Sequence, residues 1–437
     1  MGTTGDVMQT AEYNEAPILT LTKAKHHSAD TMLATLGISK TAGIHAPGSE
    51  LSGSQEHQRV SRRLDVDKMG LFSEAVESAA ARIDAEKRID YIVVAKDLHM
   101  GKDGGLCFET EDGYADLPQE YRGLYLLLSR LSPKVFSRSF QTLYRARPYA
   151  RSVIFNDLME HYGSRLVRTG KRAGEPVRLK IRTRISDNGI RSVFAVVSES
   201  YPTVYDGDHW IRDIATHVAA VSPETRGTVT YNPWTTRVRF DALWNEQGTH
   251  ACHATGGVFR LVLSGSTRDD AGARYRLWAS AMREGGGQYK ANHYYAMDSE
   301  ESLLLGRMHR GKGGVIASEI SAAVGNALEV FQTFTSEWGL VAGQPIEGVA
   351  LFGKTYATVP NALAGLVSSG RIDMGLDKDT TLQVLLRTWG NQPGSNAGDL
   401  LNALSGSAWN TETVEHAEAL ETLSAALVSK LAKVDMW

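Results

Sequence analysis

The stretch Val177-Arg-Leu-Lys-Ile-Arg-Thr-Arg-Ile185, followed by Ser186-Asp-Asn-Gly189 and Ile190-Arg-Ser-Val-Phe-Ala-Val-Val197, decides the fold class. Successive side chains of a strand point to opposite faces. Val177, Leu179, Ile181, Thr183 and Ile185 therefore share one face, and Arg178, Lys180, Arg182 and Arg184 share the other. Ser-Asp-Asn-Gly between two such runs reads as a hairpin turn, because Asn and Gly tolerate the positive φ of tight turns. The expectation is an antiparallel hairpin with one face in the core and one cationic face outward.

Further strand signals lie downstream, at 236–244 and 257–264, the latter pairing with 274–282 across 265–272. Upstream, Phe72, Val76, Ala80 and Ile83 fall at helical spacing and end at Lys87 and Arg88. Residues 90–95 read as a buried strand, and Lys102-Asp-Gly-Gly105 turns into a second one over 106–110. Three helices follow. One starts near Pro118 and carries Leu124, Leu127, Leu128 and Leu131; the next is capped by Ser132 and Pro133; the third spans 152–162 and ends at Gly163. The C-terminal third is helical, at 318–338, 359–368, 380–389, 399–404 and 411–433. The class is α+β: an antiparallel sheet with a basic face, flanking helices and a helical C-terminal region. Residues 1–65 read as a flexible arm, 66–310 as the α+β core and 311–437 as the helical region.

Hydrophobic residues at 42% and charged residues at 22% are globular values, which argue against a disordered chain. No apolar stretch approaches the roughly 18–20 residues of a membrane span. The first residues lack the basic and apolar regions of a secretion signal, and two cysteines, Cys107 and Cys252, make no disulfide framework. A bacterial cytoplasm is the expected compartment.

Charge is informative once localised. The chain carries 47 Lys and Arg against 50 Asp and Glu, yet residues 129–191 hold 15 basic residues against Asp157, Glu160, Glu175 and Asp187, a surplus of +11. Four cations along one strand face repel one another, and a polyanion neighbour would relieve them. Arg145, Arg147 and Arg151, the pair Lys171 and Arg172, and Tyr144, Tyr149 and Tyr162 are interspersed nearby. Basic residues mixed with aromatics suit single-stranded nucleic acid, where cations meet phosphates and rings meet bases. The alternative is a face whose charges pair with acids elsewhere in the chain.

Catalytic signals are weaker. Gly306-Arg-Met-His-Arg-Gly311-Lys312-Gly313 has P-loop spacing, but Gly313 stands where a Mg²⁺-binding hydroxyl belongs and no clear strand precedes it. Lys312 in a Gly-rich loop fits backbone phosphate instead. His250-Ala-Cys252-His253 lacks a second ligand pair for zinc. Ser264-Gly-Ser266 is not a nucleophile elbow. No cofactor is expected.

The string Arg191-Ser-Val-Phe-Ala-Val-Val-Ser198-Glu-Ser-Tyr201, then Tyr205-Asp-Gly-Asp-His-Trp-Ile211, resembles a pattern in a phage- and plasmid-borne family of unknown function, where a strand end leads into a helix. Leu261 to Arg283 is similar to that family's central strand pair. Leu400-Leu-Asn-Ala-Leu-Ser405, Ala408-Trp409, and the closing helix with Glu418 and Leu420 resemble its C-terminal portion. The family's Cys-x-Asn-Gly signature is replaced here by Arg283-Glu-Gly-Gly-Gly287. The family's strand order is similar to that of phage single-strand annealing proteins, which bind single-stranded DNA along a basic groove as rings or filaments.

The resulting expectation is a nucleic-acid-binding protein of a mobile element, single-stranded DNA favoured, oligomeric and not membrane-bound, with Arg178, Lys180, Arg182, Arg184, Lys171, Arg172, Arg145, Arg147, Arg151 and Lys312 as its contacts. Two rivals stand beside it. One is a nucleic-acid- or nucleotide-processing enzyme using His309 and Lys312. The other is a structural or host-interaction protein docking through its acidic helical region.

Overall fold

The computed structural model describes residues 69–434 apart from several segments, the longest being 132–145, 284–292 and 308–312. The helix capped by Ser132, with Arg145, Lys171, His309 and Lys312, therefore lies outside the described residues. The described residues fall in one unit, 52–437.

The chain opens with α1 (Phe72–Ala85), whose Phe72, Val76, Ala80 and Ile83 are buried as their spacing requires. Next come β1 (Ile89–Val94), a small meander of β2 (His99–Met100), β3 (Leu106–Thr110) and β4 (Gly113–Leu117), then α2 (Tyr121–Leu131) and α3 (Pro148–Tyr162). Pro148 opens α3 one turn before the expected start; its missing N–H is no loss in a first turn. The hairpin forms as read: β5 (Arg178–Ile185) and β6 (Arg191–Ser198) are antiparallel, and β1 joins the far edge of β5 to give a three-stranded sheet.

The second half holds α4 (Gly207–Val221) and the larger sheet. Its order is β12 (His293–Ala296), β11 (Tyr275–Arg283), β10 (Gly257–Arg268), β8 (Arg237–Leu243), β7 (Arg226–Asn232). Short strands β9 (Thr249–Cys252) and β13 (Leu305–Arg307) pair with β10 and β11. The β10–β11 pairing is as expected, but β10 runs through Gly265 to Arg268. A Cβ at position 265 would meet the Phe240 ring, so glycine there serves packing, not a turn.

Five helices follow: α5 (Gly313–Val341), α6 (Val359–Ser368), α7 (Lys378–Asn391), α8 (Ala397–Ser407) and α9 (Val414–Val434), with a small hairpin, β14 (Ala350–Leu351) and β15 (Lys354–Thr355), between α5 and α6. These helices share one hydrophobic core with α1, α4 and the large sheet. Phe259 and Tyr295 from the sheet meet Trp338 of α5 with ring centroids 5.4 and 4.9 Å apart. Among the described residues no helix is long and apolar enough to cross a membrane.

Candidate nucleic-acid interface

β6 is buried along both faces, with Val193 to Val197 all at 1% exposure or less. Such a strand has something packed on either side. One neighbour is α2, which approaches so closely that a Cβ at Gly123 would lie 2.3 Å from the Val193 carbonyl oxygen. On the sheet's other face lies the arginine row of β5.

That row is the main correction to the sequence reading. Arg182 is 1% exposed, Arg184 5% and Lys180 9%; only Arg178, at the strand's open end, has a substantially exposed side chain. The cationic face does not look at solvent. It lies against the end of the large sheet and the start of α4, which bring carboxylates to meet it. Arg182 Nε donates to Asp90 Oδ1 at 3.1 Å, and its Nη groups donate to Asp206 and to the Asp269 carbonyl. Arg184 Nε donates to Glu120 Oε1 at 2.8 Å and Nη1 to Glu86 Oε1 at 3.1 Å. Arg88, outside the row, joins the same cluster through Asp269 Oδ2 (2.5 Å), Asp206 Oδ2 (3.2 Å) and Glu86 Oε2 (2.8 Å). Three guanidinium groups are thus interleaved with five carboxylates, which removes the repulsion the strand would suffer alone. Lys180 donates to the Tyr201 carbonyl at 2.5 Å.

A β-bulge finishes the cluster. The register passes from Arg182↔Ala195 to Thr183↔Val193, so Phe194 has no partner on β5. Bulges re-aim side chains, and here the Phe194 ring takes Arg88, Arg182 and Arg184 at 5.2, 5.2 and 5.3 Å from its centroid.

Burial and charge shift the titrations in opposite senses. Burial works against the charged forms of Arg182 and Arg184, but Asp206 and Asp90, and Glu120 and Glu86, outweigh it, so both arginines stay protonated. Burial pulls Lys180 below its usual range. Asp206 is pushed up to about 6, first by burial and then by the nearby Asp269, against the pull of Arg182 and Arg88. Its Oδ1 is buried without a hydrogen-bond partner while Oδ2 holds both arginines.

The remaining sequence candidates are dispersed. Arg178 and Arg172 have 47% and 43% exposed side chains, and both reach Glu199, Arg178 at 3.3 Å. Arg172 also pairs with Glu175 at 2.6 Å. Arg147 and Tyr149 are exposed at the start of α3, Tyr149 at 64%, and Arg151 is half-buried. The structure brings Arg172 and Arg178 together and gives no shared site with Arg147 or Arg151. A three-residue strand, β13, takes in the first two residues of the P-loop-like segment, Gly306 and Arg307, and α5 starts at Gly313; β13 is antiparallel to β11, and residues 308–312 lie outside the described residues. No group of residues suited to a metal occurs among the described residues.

The residues missed by sequence reading are the acids. They come from four separate stretches of chain (Glu86 with Asp90, then Glu120, Asp206 and Asp269), and no spacing links them to β5. Their one trace is the acidic surplus outside 129–191, which offsets the basic surplus within it. No protein-family model, characterised protein or solved structure matches the chain.

Proposed function

We propose that the protein binds nucleic acid, single-stranded DNA favoured, as a non-enzymatic component of a mobile element, and that it does so through exposed cations beside the buried cluster. The carrying observation is the pair Arg172 and Arg178, side by side on Glu199 at the solvent-facing end of β5. Exposed ion pairs contribute little, about 0–1 kcal/mol, so a phosphate can replace Glu199 or Glu175 at small cost. The buried pairs of Arg182 and Arg184 do not exchange in this way, because separating them leaves charge in the core. Lys180, Arg182 and Arg184 therefore leave the contact set and become scaffold, while Arg147 with Tyr149 offers a second contact. Assembly of several copies, as in the annealing proteins that the family resembles, would multiply such sparse contacts along a strand.

The test is a salt titration of a labelled single-stranded oligonucleotide. Each phosphate contact contributes a slope of about −0.7 in log K against log salt on a single strand. Arg172→Gln with Arg178→Gln should flatten the slope by roughly 1–1.5 units without loss of folding. An unchanged slope in the folded double variant, or no binding by the parent protein at low salt, overturns the reading.

A further inference from the structure

The C-terminal region carries a second cationic cluster, one with no ion pair among the described residues. The β14–β15 turn places Phe352 at φ 52° and Gly353 at φ 78°. Two successive positive φ values make a type I′ turn, whose first central position favours Asn, Asp or Gly. A phenylalanine there is strained, and its ring is held by two cations. The Arg371 Cζ stands 3.7 Å from the ring centroid and the Lys430 Nζ 4.9 Å. At 3.7 Å the guanidinium is in stacking contact with the ring, leaving its N–H edge for another partner.

The three residues come from separate, fixed elements. Arg371 follows α6, where its N–H donates to the Leu366 carbonyl at 3.1 Å and Ile372 beside it is buried. Lys430 lies on α9 between buried Val428 and Leu431. Lys354, next to the turn, is also exposed. Among the described residues none of Lys354, Arg371 and Lys430 has a carboxylate partner. Asp373, the nearest acid in sequence to Arg371, is directed at His416, 3.7 Å away. Two like charges over one ring, with no counter-charge among the described residues, contrast with the buried cluster, where every arginine is paired.

We infer that Phe352, Arg371 and Lys430, with Lys354 at the rim, form a phosphate-binding site. The ring acts as a platform that fixes a guanidinium fork and an ammonium group near each other. A tetrahedral, multiply charged anion accepts from both, whereas a single carboxylate is suited to the fork alone. The source is either a phosphodiester of a nucleic-acid strand or a free phosphate or monoester; the chemistry is shared. The site does not depend on Arg172 and Arg178.

The test uses the full chain, titrated separately with inorganic phosphate by calorimetry and with a short labelled oligothymidylate by anisotropy. Arg371→Gln with Lys430→Gln should weaken phosphate binding at least about tenfold, since both charge-assisted donors to the anion are removed. Phe352→Asn is the second variant. Asn tolerates the turn better than Phe, so the thermal midpoint should hold or rise while phosphate affinity falls. Loss of oligothymidylate binding together with phosphate binding makes the source a nucleic-acid backbone; loss of phosphate binding alone makes it a free phosphate or monoester. Either supports the site, and the Arg172 and Arg178 variants report separately on the other interface. Phosphate affinity unchanged in folded Arg371→Gln/Lys430→Gln protein, or no phosphate binding by the parent, overturns the inference.

Discussion

Asp90 and Arg182 face each other directly across the β1–β5 ladder, and the Arg182 Nε meets the Asp90 Oδ1 at 3.1 Å. A cross-strand pair of opposite charge on a solvated sheet is a minor stabiliser. Here the arginine is 1% exposed and also holds Asp206 from another element. The same side chain thus ties the small sheet to the start of α4. Its neighbour Ile181, pointing the other way, is fully buried.

Arg182→Ala should therefore destabilise the protein by about 3–5 kcal/mol, because it takes one of two arginines from buried Asp206 and the cation from Asp90. Ile181→Ala should cost a similar amount, about 2–5 kcal/mol, by cavity formation. Arg178→Ala, at the exposed end of the same row, should change stability by less than about 1 kcal/mol. Urea unfolding of the three variants checks this; an Arg182 variant as stable as the Arg178 variant would mean that the cluster is dispensable.

Stability should also report the titration of the buried acid. Asp206 moves from an ordinary 3.8 up to about 6. Between those values the folded chain holds a proton that the unfolded chain has lost, so this contribution is greatest below pH 4 and falls as pH rises through 6. Asp298, raised by burial to about 6 despite Arg276, acts in the same sense. His293 acts in the opposite sense: burial and Arg283 lower it from 6.5 to about 4, so its contribution grows as pH rises from 4 to 6.5. Asp206→Asn isolates one group. Relative to the parent, the variant should gain stability with rising pH over this window, by up to about 1.4 kcal/mol per unit. A difference that is flat or declines with pH contradicts the assignment.

Two glycines should respond in opposite directions to alanine. At Gly123 the added Cβ meets a backbone carbonyl oxygen, which cannot rotate away, so α2 must lift from β6. Gly123→Ala should cost about 1–3 kcal/mol or more. At Gly325, inside α5, a Cβ meets nothing within 4 Å. Gly325→Ala should stabilise by about 0.5–1 kcal/mol through helix propensity. Thermal unfolding of both variants decides, and a destabilised Gly325→Ala would show that the surface of α5 is covered.

Local pattern was sufficient for most elements. The spacing of Phe72, Val76, Ala80 and Ile83 marked α1, the alternation at 177–185 marked β5, and residues 359–368 matched α6. The β7 strand was not legible, because Arg226-Gly-Thr-Val-Thr-Tyr-Asn232 has no strong apolar alternation and owes its pairing to β8. At the candidate site, Arg172 and Arg178 were legible as exposed cations. Their partner Glu199 was not, since it lies beyond the hairpin.

The sequence by itself determined that β5 has an apolar and a cationic face, since a period of two residues is a property of the strand alone. Which way the cationic face looks was decided only by the tertiary structure. Solvent or protein could equally have met Lys180, Arg182 and Arg184. The outcome turned on Glu86, Asp90, Glu120, Asp206 and Asp269, carried to that face from four stretches of the chain. A row of like charges is tolerable in the core only when opposite charges arrive with it. Such long-range neutralisation leaves no periodic mark in the sequence.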